Sequence, residues 1–227
     1  MSRLASYRPL LAGLAAALLA WVFIRIGSEM AEGDTRTFDM AILRAAQSLR
    51  VAHPWLADVM RDLSGLGSTT VLILFTAVTA GYLAVVRARL IALLVVAAVI
   101  TGSLGVTLLK AAFGRPRPGD DFAAFVAPGM SFPSGHATLS AIVFLTVAAL
   151  LASTRTRAIE RTYIVATAAL MALFVGLSRV ALGVHWATDV AAGWVVGAAW
   201  ALAWLLLALR LSRPWAAKIV GRRPEES

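Results

Sequence analysis

The 227-residue sequence contains no cysteine, which excludes disulfides and thiolate metal sites and leaves no redox signal about its compartment. Charge is also scarce. Only 15% of residues are charged, whereas 60% are hydrophobic and the mean hydropathy is +0.81. Soluble domains are about half apolar and a quarter charged, so this composition excludes an ordinary soluble globule and indicates a membrane protein. Strict repeats and low-complexity tracts are missing, which excludes solenoids and arrays. Stability must therefore come from helix packing, and the alanine richness suits close-packed membrane helices.

Six apolar runs are long enough to cross a bilayer or nearly so: about Pro9 to Ile26, Thr69 to Val86, Leu90 to Leu109, Gly135 to Ala152, Thr162 to Leu177 and Val190 to Leu211. The fifth is the shortest and needs its flanks to reach full width. The expected fold is all-α: one six-transmembrane-helix bundle formed by residues 1–227, with short interfacial helices between the first and second spans. An alternative for the first run is a cleaved signal peptide, but Ser28 to Ala31 has no convincing small-x-small cleavage site.

The formal net charge of +9 and pI near 11.3 raise the question of nucleic acid, and the distribution of charge answers it. With six spans, one side carries Arg3, Arg8, Arg87, Arg89, Arg155, Arg157, Arg161, Arg210, Arg213, Lys218, Arg222 and Arg223 against Glu160, Glu225 and Glu226. The opposite side is nearly balanced. Lys and Arg concentrate in cytoplasmic loops, so both termini are expected in the cytoplasm of a multi-pass cytoplasmic-membrane protein. The positive charge is a topology signal, and no nucleic acid partner is needed to explain it.

Between the first two spans, Phe38, Ile42, Ala45, Leu49 and Ala52 recur at helical spacing, with Asp39, Gln47 and Arg50 elsewhere on the wheel, as expected for a helix lying in the outer interface. A second such helix is expected after Pro54, with Asp58, Arg61 and Asp62 facing water. Asp58 and Asp62 at i, i+4 resemble a metal pair, but Arg61 between them favours a solvated, neutralised face. His53, beside Pro54 and Trp55, reads as an interfacial residue without chemistry. Gly193 and Gly197 form a GxxxG pair suited to a close helix contact.

The chemically unusual residues gather at the outer ends of helices three to six: Lys110, Arg115 and Arg117; Ser134, Gly135 and His136; and Ser178, Arg179, His185 and Asp189. Fixed cations with two histidines and no carboxylate cluster suit a phosphoryl group better than a hard metal. Ser134-Gly135-His136 opens a helix, where unpaired N–H groups and the positive dipole end favour an anion, although an ordinary helix cap would look the same. His185 and Asp189 are four apart, so the carboxylate can accept a hydrogen bond from one ring nitrogen and leave the other free for attack.

These residues together resemble the type 2 phosphatidic acid phosphatases, in their bacterial membrane branch. Lys110, six residues, then Arg117-Pro118; Pro133-Ser134-Gly135-His136; and Ser178-Arg179, five residues, His185, three residues, Asp189 match that family's three motifs without a substitution. The motif-bearing core spans about residues 90–211. The resemblance implies a lipid phosphatase that needs no metal or cofactor. In it His185 attacks phosphorus to form a phosphohistidine, Asp189 orients His185, and His136 protonates the leaving oxygen. Lys110, Arg117, Ser134, Gly135, Ser178 and Arg179 would bind the phosphoryl group. Family spacing selects Arg117, leaving Arg115 outside the core site as an electrostatic neighbour or headgroup contact.

The same motifs occur in vanadate-dependent haloperoxidases, which are soluble; six spans favour a lipid substrate. A non-enzymatic transporter or scaffold that binds lipid headgroups is a further alternative, but the centres of the six runs lack the charges that transport would call for. The expected partners are a membrane lipid phosphate and the bilayer, and no feature demands a protein partner. Undecaprenyl diphosphate, phosphatidylglycerophosphate and phosphatidate all fit, and an outward-facing site favours the first.

Overall fold

The computed structural model describes residues 2–220, with side chains described for residues 13–211. The helices run in the order α1 (Ser2–Glu32), α2 (Arg36–Ala52), α3 (Trp55–Gly65), α4 (Thr69–Val85), α5 (Arg89–Phe113), α6 (Gly135–Ser153), α7 (Ala158–Ala181) and α8 (Ala187–Val220). No strand occurs among the described residues. Six segments are long and apolar enough to cross a membrane: Gly13–Glu32, Trp55–Val85, Arg89–Phe113, Gly135–Ser153, Ala158–Ala181 and Ala187–Leu211. The all-α, six-span expectation therefore holds. The fifth span, short by composition, is completed by its flanks into a 24-residue helix.

Local sequence explains the helix ends that matter for the site. Gly114 takes a left-handed conformation (φ 59°) and its N–H bonds the Lys110 carbonyl, closing α5 with Lys110 in its last turn. Ser134 precedes α6 in extended conformation, yet its hydroxyl makes no cap hydrogen bond. Gly183, between α7 and α8, has φ 71°, and a Cβ there would lie 2.0 Å from the Phe122 carbonyl oxygen. Only glycine lets this turn and the loop from residue 114 to residue 134 pack together. That loop is pinned by the Ala124 N–H to Leu182 carbonyl bond at 2.9 Å.

α6 is the central helix, packed against both α7 and α8. Its contact with α8 depends on the glycine pair. A Cβ on Gly197 would lie 2.6 Å from the Thr138 carbonyl oxygen, and one on Gly193 would lie 2.9 Å from that of Ser134. The GxxxG pattern thus serves a contact within the chain, bringing the first turns of α6 and α8 together. Leu72, Ala141, Phe144, Ala148, Ala172 and Val175 fill the core between α4, α6 and α7. Leu18, Ile24, Leu93, Leu104 and Leu108 point outward, where a bilayer supplies an apolar solvent.

The segment between the first two spans forms two short helices, α2 and α3, as expected. α3 is followed by a tight turn at Gly67 that leads into α4, and the two helices together make an apolar segment of 31 residues. α2 does have an exposed apolar face, with Phe38 and Leu49 more than half exposed. Arg36, Arg44 and Ser48 are exposed, but three other polar residues of α2 turn toward the protein. Asp39 is 1% exposed, Gln47 donates to the Asp121 carbonyl, and Arg50 donates to the carbonyls of Leu182 and Phe122. Loop carbonyls and a buried guanidinium have few other partners, and their need for hydrogen bonds outweighs the solvation of α2's polar stripe.

Candidate active site

The two ends of the bundle differ in chemistry. The last turns of α5 and α7, the first turns of α6 and α8, and α2 and α3 all meet at one end, where a cavity of about 460 Å³ opens. Lys110, Arg117, Gly135, His136, Arg179 and His185 line it. Six of the nine site residues expected from sequence thus share one cavity.

The remaining three sit around it. Asp189 is fully buried behind His185. Ser134 is also fully buried, and its hydroxyl has no hydrogen-bond partner. Ser178 turns away: its hydroxyl donates to the Val175 carbonyl of its own helix at 2.7 Å, so it does not line the cavity.

Hydrogen bonds define the state of His185. Its Nδ1 lies 3.2 Å from Asp189 Oδ2, while Nε2 lies 3.1 Å from Arg117 Nη1. A guanidinium can only donate, so Nε2 carries the lone pair and Nδ1 carries the proton. His185 is 1% exposed, and burial pushes its pKa down to about 4; Asp189 opposes the shift, while Arg117 and Arg179 add to it. The ring is therefore neutral at pH 7, with its lone-pair nitrogen against Arg117. Burial likewise lowers the pKa of Arg117, which still remains charged.

The cations are held by groups that leave capacity for an anion. Arg117 is braced by the carbonyls of Pro128, Gly129 and Val184, and Lys110 by that of Met130. Arg179 donates through Nη1 to Ser64 Oγ at 2.6 Å, and its buried Nε has no partner. Buried donors are rarely left unpaired, yet both the Ser134 hydroxyl and Arg179 Nε are. With the free N–H groups at the start of α6, they outline a cup for a tetrahedral anion. Among the described residues no three His, Asp or Glu side chains come together as a metal site. His53 lies outside the cup, beside Trp55, and the Asp58–Arg61 pair is exposed as expected.

Four residues of this region were not legible as site residues. Ser64 comes from α3, whose sequence carries no motif. Asp39, Arg115 and Thr188 form a buried cluster behind Asp189, with Arg115 bridging Asp39 Oδ2 and Asp189 Oδ1 at 2.6 Å each. Arg115 is thus a direct electrostatic partner of Asp189, one of the two roles its sequence position offered. The proximity of Thr188 to Asp189 and the doubled Arg-Pro were the available signals. Nothing local pointed to Asp39, which is 149 residues from Thr188.

A family model described as the PAP2 superfamily matches residues 89–213. Phosphatidylglycerophosphatase B of Bacillus subtilis (strain 168) is 32% identical over 179 residues, covering 77% of this chain and 85% of that protein. The crystal structure of a transmembrane PAP2-type phosphatidylglycerolphosphate phosphatase from Bacillus subtilis superposes with a TM-score of 0.80 at 28% identity, over 87% of this chain and 98% of the other. Aquifex aeolicus LpxE shares the fold at a TM-score of 0.57 and 24% identity, over 75% of this chain and 94% of its own.

Proposed function

The chain belongs to the PAP2 superfamily and is a membrane lipid phosphatase, and on that premise we propose that it removes the terminal phosphate of phosphatidylglycerophosphate through a phosphohistidine on His185. The observation that carries this reading is the neutral His185, with its Nε2 lone pair against Arg117 Nη1 in a cavity that Lys110 and Arg179 also line.

The incoming phosphomonoester takes Arg117 Nη1 from His185 and shares it, with Arg179, Lys110, Ser134 and the Gly135 N–H, among its oxygens. Nε2 then attacks phosphorus in line as the phosphorus–oxygen bond to the lipid breaks. Beside the bound phosphate dianion His136 is the imidazolium, and it gives its proton to the departing oxygen, so the lipid leaves as an alcohol and His136 is left neutral. The deprotonated His136 next takes a proton from water, whose oxygen attacks the phosphohistidine; phosphate departs and both histidines return to their starting states. The three cations supply the charge stabilisation that a divalent metal provides elsewhere, which supports metal-independent turnover by residues 1–227 as one domain.

Two considerations bear on the substrate. The similar Bacillus subtilis proteins bear the name of a phosphatidylglycerophosphate phosphatase, which moves the preference away from undecaprenyl diphosphate. Arg61 also lines the cavity, apart from the motif cations. That placement suits a lipid with a second phosphate, as both of these have, over phosphatidate. The basic excess at the opposite end of the bundle supports a site on the outer face of the cytoplasmic membrane, with both termini inside.

The test is phosphate release by purified protein from short-chain phosphatidylglycerophosphate, undecaprenyl diphosphate and phosphatidate, each with EDTA present. Fastest release from the first is expected, and none from the His185→Ala protein. A ranking led by either other lipid changes the substrate; turnover by folded His185→Ala removes the nucleophile.

A further inference from the structure

Asp189 has two carboxylate oxygens with separate tasks. Oδ2 accepts from His185 Nδ1 at 3.2 Å and from the Trp186 N–H at 3.0 Å. Oδ1 accepts from Arg115 Nη1 at 2.6 Å. The guanidinium is itself fixed on three sides. Nη2 donates to Asp39 Oδ2 at 2.6 Å, Nη1 also donates to Thr188 Oγ1 at 2.8 Å, and the Trp186 ring lies 5.3 Å from Cζ. Asp39 is held in turn by the Thr188 N–H at 3.0 Å and hydroxyl at 2.7 Å. Both carboxylate side chains are fully buried, and that of Arg115 is 12% exposed.

We propose that Arg115 and Asp39 are positioning residues of the reaction: Arg115 fixes the carboxylate plane of Asp189 so that Oδ2 stays on the nucleophile, and Asp39 keeps Arg115 from quenching Asp189. The proposal rests on the reading of His185 as nucleophile. As Nε2 gives its electron pair to phosphorus, the imidazole becomes cationic and needs the negative charge of Asp189. One guanidinium serving a single buried carboxylate would cancel that charge. Shared between two carboxylates, it leaves the trio with a net charge of about −1, so orientation is gained without neutralisation. The second carboxylate comes from α2, a helix outside the three motifs.

The two roles predict opposite shifts in the acid limb of kcat/KM, which reports the charging of His185 in the free enzyme. The charged and titratable groups around His185 are Lys110 of α5, Arg117 of the following loop, His136 of α6, Arg179 of α7 and Asp189 of α8, with Arg115 and Asp39 acting through Asp189. Removing a cation favours the protonated ring; removing an anion disfavours it.

With full-length protein in detergent and short-chain phosphatidylglycerophosphate as substrate, Arg115→Gln should move the limb up by roughly one pH unit and Asp39→Asn should move it down. The double variant should return it near its original position. Each should lower kcat by roughly ten- to a hundredfold, the usual cost of losing a supporting partner, with little change in KM. Quenched single-turnover labelling should show the loss at formation of the phosphoenzyme. Arg115→Lys keeps the charge but not the fork, so its limb should stay while kcat falls; it carries the test if the charge-removing variants do not fold. Shifts of the same sign, unshifted limbs in the charge-removing variants, or unchanged kcat in Arg115→Lys overturn the proposal. Turnover by His185→Ala would instead overturn the nucleophile on which it rests.

Discussion

Protonation of His185 should cost this protein both activity and stability, in a pH window that follows from its burial. The imidazole is held neutral, with its pKa pushed down to about 4 from an ordinary 6.5. In the unfolded chain the same ring charges as pH falls through about 6.5. Between these values the unfolded state binds more protons, so the stability conferred by neutral His185 is complete above about 6.5 and is lost as pH falls toward about 4. At pH 5 the loss from this one group is about 2 kcal/mol relative to pH 8. The measurement is a thermal melt of wild type and His185→Asn in the same detergent across pH 8 to about 5. All other titrating groups are common to both proteins, so the wild type should lose about 2 kcal/mol more than the variant over that range. Activity gives the second reading. With a pKa of about 4, about 90% of folded protein keeps a neutral nucleophile at pH 5, against about 3% for an unperturbed histidine. After allowance for the substrate's own ionisation near about 6, kcat/KM should therefore persist at pH 5. Parallel melting curves for the two proteins, together with an activity limb near about 6.5, would refute the burial argument.

Other perturbations test other parts of the site. Gly183→Ala places a Cβ 2.0 Å from the Phe122 carbonyl at a φ of 71°, so it should destabilise by at least about 1–3 kcal/mol and abolish activity, read by melting and phosphate release. Ser64→Ala removes the acceptor that orients Arg179 and should raise KM roughly tenfold with a smaller effect on kcat; an unchanged KM would deny α3 a part in substrate binding. Vanadate, a phosphate mimic, should inhibit competitively, whereas EDTA should leave turnover intact. A reporter active only outside the membrane should work when inserted between Gly119 and Pro128 and fail at Arg157, and the reverse would put the site in the cytoplasm.

The six spans and the clustering of motifs at one end were legible in the sequence for a physical reason. Bilayer crossing demands long apolar runs, and phosphoryl chemistry demands particular side chains at helix ends; both are local properties of the chain. His185 and Asp189 could be paired because a helical turn brings i and i+4 together. The fate of Ser134 was not legible, because a capping serine and a ligand-binding serine look alike until the hydroxyl is seen without a partner. Nor was Ser178's turn back onto its own helix, which depends on a rotamer. Asp39 shows the limit most clearly: its helical position put it on a polar stripe, which in isolation belongs to water. Only the tertiary structure decided that this stripe meets the loops of the site, where Arg115 sits between two buried carboxylates, because burying a guanidinium requires counter-charges that distant parts of the chain must supply.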